Sequence, residues 1–551
     1  MELTNRFVEG KTDFSSYDDF AKNFKPKFPE DFNFAKDVVD YYAENNPEKQ
    51  ALLWCDDEGG EESFNFLQLS EQSKRLANGI SKLGIKKGDV VMLVLHRRYE
   101  YWFFIIALHR IGAVALPVAS QLLKDDLEYR IKTSNTKMII AAPHADSINQ
   151  LEQACRKNTI LVSVDFTKDG WIDYSSINIS QSEYEKRLAE ISDSVDSISG
   201  ESPMLIYFTS GTAGNPKMVV HNYLYPLAHI ITAKYWQRVV PDGLHLSIAE
   251  TGWAKSSWGK IYGQWIAGSA VFVYDRQTFS PEQILEKIAK YKVTTFCANP
   301  TVYRYLINLD FSNYDLSSLK HCCCAGESLF PDIYETFYHK TGLRIHEGYG
   351  QSETALLTAN FYSASEGSMG KPSPLYDVKI LDENGAECSC GQSGEVVLNL
   401  KQGHPIGLFS EYFNETELTQ NAFKNDCYHT GDIAYKDNDG NFYFQGRKDD
   451  IIKSSGFRIS PYEVESVLNR HPAVMESSVT GEKDEIRGQI VAAMVVVAQG
   501  YEPSKNLEHE ILSFMHKNTA QYKCPRKITF VKELPKTYNG KVIRQKQSEE
   551  S

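Results

Sequence analysis

Tyr207 to His221 reads YFTSGTAGNPKMVVH, and its reading decides the fold. An apolar run, Met204, Leu205, Ile206, Tyr207 and Phe208, is the length of a buried strand. It passes into hydroxyls and glycines at Thr209, Ser210, Gly211, Thr212 and Gly214, with Lys217 after Pro216. Glycines let backbone N–H groups crowd an anion, hydroxyls donate further hydrogen bonds and the lysine adds a point charge, so the loop reads as a phosphate cradle. The spacing is not the Walker pattern, because no Gly-Lys-Ser/Thr closes it.

Outward from this loop the chain is built of alternating strands and helices. Upstream, VVMLVL (90–95) reads as a strand, Tyr99 to Arg110 as a helix and GAVALPV as the approach to the next strand. MIIAA near 140 and TILVSVD near 160 continue this βαβ alternation, which predicts a parallel sheet covered on both faces. A segment near Val38–Ala43 reads as a helix packed on the main body. Beyond about Pro372 the period shortens to alternation, with turns at DENG and ECSCGQSG and a strand at Gly394–Leu400, predicting a small β subdomain to residue 447. From Gly446 the pattern changes again. Ser460, Pro461 and Glu463 predict a capping box with proline opening a helix. A strand at Gln489–Ala498 and a helix around Leu507–His516 complete a small α+β unit.

The chain has 551 residues, 42% apolar and 24% charged, an ordinary globular composition long enough for about three or four compact units. Its net charge of −13 argues against nucleic acid as a general partner. From Tyr522 to Gln547, however, Lys523, Arg526, Lys527, Lys532, Lys536, Lys541, Arg544 and Lys546 face one acid, Glu533, which predicts polyanion binding at that end. Ten cysteines in no disulfide or zinc spacing point to a reducing compartment. No window approaches the ~18 apolar residues of a spanning helix. The first residues carry no basic n-region with an apolar run and the last are not a peroxisomal address, so the cytoplasm is the expected location. A monomer and a homodimer both stand open.

The loop is followed, in order, by YGQSET (349–354), YHTGD (428–432), GRKDDIIKSSGFRISPYEVE (446–465) and LPKTYNGKVIR (534–544). This series resembles the adenylate-forming superfamily of acyl-CoA synthetases, luciferases and amino-acid-activating domains. The segment from Thr251 to Asp275 is especially similar to the medium-chain acyl-CoA synthetases, with Glu250 where that branch carries Asp. The resemblance implies an α/β fold: a large N-terminal domain, 1–447, of two βαβ subdomains and a barrel-like β subdomain, under a mobile α+β lid, 448–551. It implies ATP and coenzyme A as co-substrates, Mg²⁺ as cofactor, and an acyl-adenylate made from a carboxylic acid and then passed to the thiol.

The same resemblance assigns residues. Lys541 becomes the catalytic lysine at the α-phosphate. Thr209, Ser210, Gly211, Thr212, Gly214, Lys217 and Ser352 hold the β- and γ-phosphates, and Glu353 takes Mg²⁺. Gly326, Glu327, Glu347, Gly348 and Tyr349 surround adenine, Asp432 and Arg447 reach the ribose and Arg458 the phosphates. Asp449 is the hinge; Asn299, Gly456 and His516 meet coenzyme A. Trp253, Ala254, Trp258, Trp265, Ala325 and Gly350 line the acyl pocket. Acetate-specific relatives carry tryptophan at the place of Gly350, so an open pocket for a short- to medium-chain, branched or small aromatic acid is expected. A luciferase-like oxygenase, an amino-acid-activating enzyme and a non-catalytic nucleotide sensor remain as alternatives.

Overall fold

A computed structural model describes residues 2–178, 198–209, 216–327, 329–455, 457–536, 542 and 544, without the Arg458 side chain. Ser210, Gly211, Thr212, Gly214, Gly456 and Lys541 therefore lie outside the described residues, as does the reach of Arg458.

Two large sheets make the body. In the first, Val90–Val94 pairs in parallel with Val114–Pro117 and Met138–Ala141. The strand Pro203–Phe208 lies beyond Val114–Pro117, and Met218–Asn222 returns antiparallel to it with Phe208 opposite Met218. The strand read from Met204–Phe208 thus enters the glycine-rich loop, and a second strand leaves it. In the other sheet, Leu244–Ser247, Ala270–Asp275, Thr295–Ala298, His321–Ala325 and Ile345–Gly350 run parallel, with antiparallel strands at both edges.

Helix Glu100–Ile111 shows why the two layers hold together. All twelve of its residues are buried, so it is apolar around nearly its whole circumference rather than along one stripe. It stops at Gly112, whose φ of 72° is the left-handed conformation that glycine adopts without strain. Tyr101, Trp102 and their neighbours join one apolar cluster that also contains Trp258, Trp265 and Trp236.

The predicted β subdomain is a five-stranded antiparallel sheet that includes Val378–Leu381, Gly394–Asn399, Cys427–Lys436 and Phe442–Arg447. A further sheet begins five residues later with Ile452–Ser454 and is carried mainly by Val474–Asp484 against Gly488–Val497. Two helices, Pro461–Leu468 and Lys505–Asn518, are packed with it. At the first of these, Ser460 accepts from the Glu463 backbone N–H as expected. The reciprocal half of the box is absent: the Glu463 carboxylate is taken by Gln445 Nε2 at 3.0 Å and Lys523 Nζ at 2.5 Å. A competing charge partner within the unit, Lys523, won over the local cap, and the bond from Gln445 ties this unit to the β subdomain. Tyr462 adds a ring stack on Phe330, 5.7 Å between centroids.

Candidate active site

Parallel strands in an open sheet present their carboxyl ends as a crevice. Here His321–Ala325 runs into Gly326 and Glu327, and Ile345–Gly350 into Gln351, Ser352 and Glu353. These loops, with Thr209, Lys217, Asp432, Arg447 and Asp449, line one cavity of about 520 Å³. Glu347, Gly348, Tyr349 and Gly350 line it too.

Asp432 is the best-held group in it. Its Oδ2 accepts from Tyr349 Oη at 2.5 Å and Gln351 Nε2 at 2.6 Å, and its Oδ1 from Arg447 Nη1 at 2.9 Å. Gln351 is in turn fixed by Tyr428 Oη, which donates to its Oε1 at 2.7 Å. Burial would weaken the Arg447 cation, but Asp432 outweighs it and holds the guanidinium above its ordinary range. Burial and then Asp432 push the Tyr349 hydroxyl up, so it stays a donor. Glu347 lies beside them, its carboxyl pushed up to about 8 by burial.

The Glu353 carboxylate accepts from Tyr412 Oη at 2.9 Å, and the Lys217 ammonium sits 5.0 Å above the same tyrosine ring. Burial raises the Glu353 pKa; the Tyr412 hydrogen bond, Arg447 and Lys217 pull it back. His221, the last residue of the opening motif, donates through Nε2 to the Ser352 carbonyl at 2.8 Å and so ties this loop to the strand leaving the phosphate cradle. Thr209 N–H donates to the Lys217 carbonyl at 2.9 Å, closing the neck of that cradle. Gln351, Tyr412, Tyr428 and His221 were not picked out by sequence. Gln351 and Tyr428 stand inside quoted motifs, and His221 ends one; Tyr412 has no local signal.

Glu327 lines the cavity, yet its carboxylate is turned to Thr301 Oγ1 at 2.7 Å and Asn299 Nδ2 at 3.5 Å. Asn299 directly follows the neighbouring strand, Thr295–Ala298, so the expected adenine and coenzyme A segments share a contact. Lys255 donates to the Ala325 carbonyl between them. His516, in the last turn of its helix, is exposed on the lid, outside the cavity lining.

The residues expected at the acyl pocket stand in different surroundings. Trp265 is scaffold: its indole N–H donates to the Ala51 carbonyl at 2.8 Å and its ring stacks on Phe34. Trp253, half-buried and two residues ahead of the short helix that carries Trp258, packs against a separate apolar cluster on the sheet built around Val90–Val94. Finally, the space expected beside Gly350 is filled. A Cβ placed there would stand 2.6 Å from Trp258 Cη2 and 2.5 Å from the Ala355 carbonyl oxygen. Ala254, Ala325 and Trp258 do share one cluster. Glu250, the departure noted from the medium-chain branch, meets His96 Nδ1 at 3.3 Å, and against burial His96 and Arg97 hold it at about 2.

The site therefore offers a ring face, a carboxylate with fixed neighbours, and a second carboxylate beside a lysine, in one cleft large enough for a nucleotide. Known proteins agree. The model of the AMP-binding enzyme family matches residues 39–413, and that of the AMP-binding enzyme C-terminal domain matches 463–541. Acyl-coenzyme A synthetase ACSM3, mitochondrial, of Homo sapiens is 39% identical over 549 residues, covering 96% of this chain and 92% of the relative. Acyl-coenzyme A synthetase ACSM5, mitochondrial, of Rattus norvegicus is 38% identical over 538 residues, 95% and 91% of the two chains. The crystal structure of the anthranilate CoA ligase AuaEII in complex with anthranoyl-AMP superposes with a TM-score of 0.81 at 26% identity, covering 94% and 96%. That of Brucella canis acyl-CoA synthetase gives 0.72 at 27%, covering 96% and 97%. The motifs in order, the cleft they build and these similarities converge: the chain belongs to the AMP-binding enzyme family, in its acyl-coenzyme A synthetase branch.

Proposed function

We propose that this chain is an ATP-dependent acid–CoA ligase for short- to medium-chain, branched or small aromatic carboxylic acids. A carboxylate oxygen attacks the α-phosphorus, the bond to the β-phosphate breaks and pyrophosphate leaves. The thiol of coenzyme A then attacks the acyl carbon, and AMP leaves with the electron pair of the C–O bond. The observation that carries this reading is the cavity in which Asp432 with Tyr349 and Arg447, and Glu353 with Lys217, face one another.

In it, Tyr349 covers adenine beside Glu347, Gly326 and Gly348, while Asp432 accepts from the ribose hydroxyls and Arg447 steadies it. Thr209, Lys217 and Ser352 stand at the β- and γ-phosphates, together with Ser210, Gly211, Thr212 and Gly214. Glu353 is suited to one Mg²⁺, a hard cation that takes one or two carboxylates plus phosphate oxygens and would offset charge between nucleotide and acid. Lys541 supplies the cation at the attacking oxygen and α-phosphate, where charge develops. The division at 447/448, with Asp449 as pivot, lets the lid present Lys541 first and Gly456 to the thiol afterwards.

Trp258 standing against Gly350 favours the shorter or branched acids within that range. All ten cysteines are unpaired, which supports a reducing compartment. Cytosol is our reading; the relatives' names carry "mitochondrial", and fractionation of cells decides between the two. Among the described residues no helix is long and apolar enough to cross a membrane.

The deciding experiment assays purified protein with ATP, Mg²⁺, coenzyme A and straight-chain acids of graded length, branched acids and benzoate. Acid-dependent release of AMP and pyrophosphate with thioester formation is expected. ADP and orthophosphate as products, or light with oxygen uptake, would overturn the reading.

A further inference from the structure

Within the basic run from Tyr522 to Gln547, four of the eight cations pair with glutamates of the lid itself. Two of those pairs bracket Lys541 in sequence, Lys536 before it and Arg544 after it. Lys536 Nζ donates to both carboxylate oxygens of Glu476, at 2.9 and 2.8 Å. Arg544 grips Glu465 in a two-pronged bond, Nη2 to Oε2 at 2.6 Å and Nε to Oε1 at 3.2 Å. Lys536 and Val542 also form an antiparallel backbone bridge, so both ends of the segment that contains Lys541 meet at one place on the lid.

An exposed ion pair fixes little, because water and salt screen it. These two have withdrawn carboxylates. The side chains of Glu465 and Glu476 are 7% and 12% exposed, on the helix Pro461–Leu468 and the strand Val474–Asp484 that build the lid. Such a carboxylate holds its cation firmly, since losing the partner would leave a charge with neither water nor counterion. Glu465 is itself fixed by the Val479 N–H, which donates to its Oε1 at 2.8 Å. Arg544 Nη1 lies 3.6 Å from Asp450 Oδ2, one residue beyond the proposed pivot, so the same guanidinium joins the lysine segment to the start of the lid. Neither Lys536 nor Arg544 lines the nucleotide cavity, so an effect of either on the reaction passes through what it holds.

We propose that Lys536 and Arg544 are positioning residues for adenylation, clamping both ends of the Lys541 segment to the lid so that the lysine reaches the α-phosphate in register when the lid turns. This rests on the acid–CoA ligase reading and on the role given there to Lys541. A loose segment would have to be ordered at every turnover; a clamped one has already lost that conformational freedom.

The test compares full-length wild type, Lys536→Ala, Arg544→Ala, Arg544→Lys and the swapped pair Lys536→Glu with Glu476→Lys in two assays: acid-dependent ATP–pyrophosphate exchange, and thioester formation from supplied acyl-adenylate. Each alanine variant should lower kcat for exchange by a factor on the order of ten or more, the scale of a displaced reacting group, with KM for ATP and the thioester step near wild type. Arg544→Lys keeps the charge without the fork and should fall between. The swapped pair should recover most of the rate lost in Lys536→Ala. Placed on Lys541→Ala, Arg544→Ala should cost nothing further, because the two act as one unit. A full additional loss in that background, an equal loss in both half-reactions, or exchange at the wild-type rate in the alanine variants would reduce the ion pairs to fold contacts and overturn the proposal. If Arg544→Ala does not fold, Arg544→Lys and the Lys536 variants decide by the same criteria. Wild type without acid-dependent exchange would overturn the ligase reading itself, a result distinct from any difference between variants.

Discussion

Glu347 is a carboxyl withdrawn from water at the floor of the nucleotide cleft, and burial lifts its pKa from 4.5 to about 8. Folding therefore favours its protonated form. That contribution is complete below the unfolded value near 4.5 and is lost as pH rises to about 8. Glu347→Gln should remove the loss, so the melting temperature of the variant should exceed that of wild type increasingly from about pH 5 to about pH 8. Parallel curves would show that the carboxyl is hydrated. The role proposed for Lys541 is one of charge, so Lys541→Ala should lower adenylation by a factor on the order of 100 or more, while thioester formation from supplied acyl-adenylate continues. Equal loss in both half-reactions would remove the lysine from its role. Sequence identified Asp432 and Tyr349 separately, each in its motif. Their 2.5 Å hydrogen bond spans 83 residues, and no local pattern carries that separation.

Among the elements, the short helix Lys255–Gly259 carries Trp258, the wall of the proposed acyl pocket. It aims Trp258 at the bare backbone of Gly350, so a tryptophan from elsewhere in the chain occupies the space that glycine was expected to open. Trp258→Ala should shift preference toward longer acids, by roughly four-fold in relative kcat/KM for each added carbon, since a buried methylene is worth about 0.8 kcal/mol. Because truncating a buried tryptophan costs about 3–5 kcal/mol, Trp258→Leu is the companion variant. An unchanged ratio of eight- to four-carbon acids in both would place the wall elsewhere. Strands and helices were largely legible: Val90–Val94, Met138–Ala141 and Gly488–Val497 fall where runs of β-branched and apolar residues predicted them. The three tryptophans were not separable, because all sit in one aromatic stretch and composition is blind to which face of a short helix each occupies. Half of the predicted capping box gave way to Lys523 and Gln445, since a charge-assisted bond is stronger than the local backbone contact it displaced.

At the scale of the whole molecule, the β subdomain sheet ends at Arg447 and the lid sheet starts at Ile452, so a few residues carry the connection. Lys448 is anchored there, its N–H to the Gly431 carbonyl at 2.8 Å and its ammonium to Glu395 at 2.9 Å, which supports the next residue, Asp449, as the proposed pivot. A few changed φ/ψ values suffice for a domain to turn. Asp449→Pro, which fixes φ, should leave pyrophosphate exchange near wild type and stall thioester formation; normal rates in both steps would move the hinge. Among the described residues the lid meets the body through side chains such as Tyr462 on Phe330 and Phe444, Ser460 on the Gln445 carbonyl and Glu463 on the Gln445 amide, while its apolar cluster holds only its own residues. What the sequence by itself determined was the alternation of layers, the nucleotide-binding motifs in their order and the chemistry each residue type can supply, because strand and helix periods and glycine-rich turns are local properties. Only the tertiary structure decided that Trp258 closes the room beside Gly350, that Trp265 belongs to the scaffold while Trp253 packs on the other sheet, and that Phe457 meets Tyr522 in solvent. Those outcomes depend on close packing between segments far apart in the chain, where a fraction of an ångström separates a pocket from a filled core.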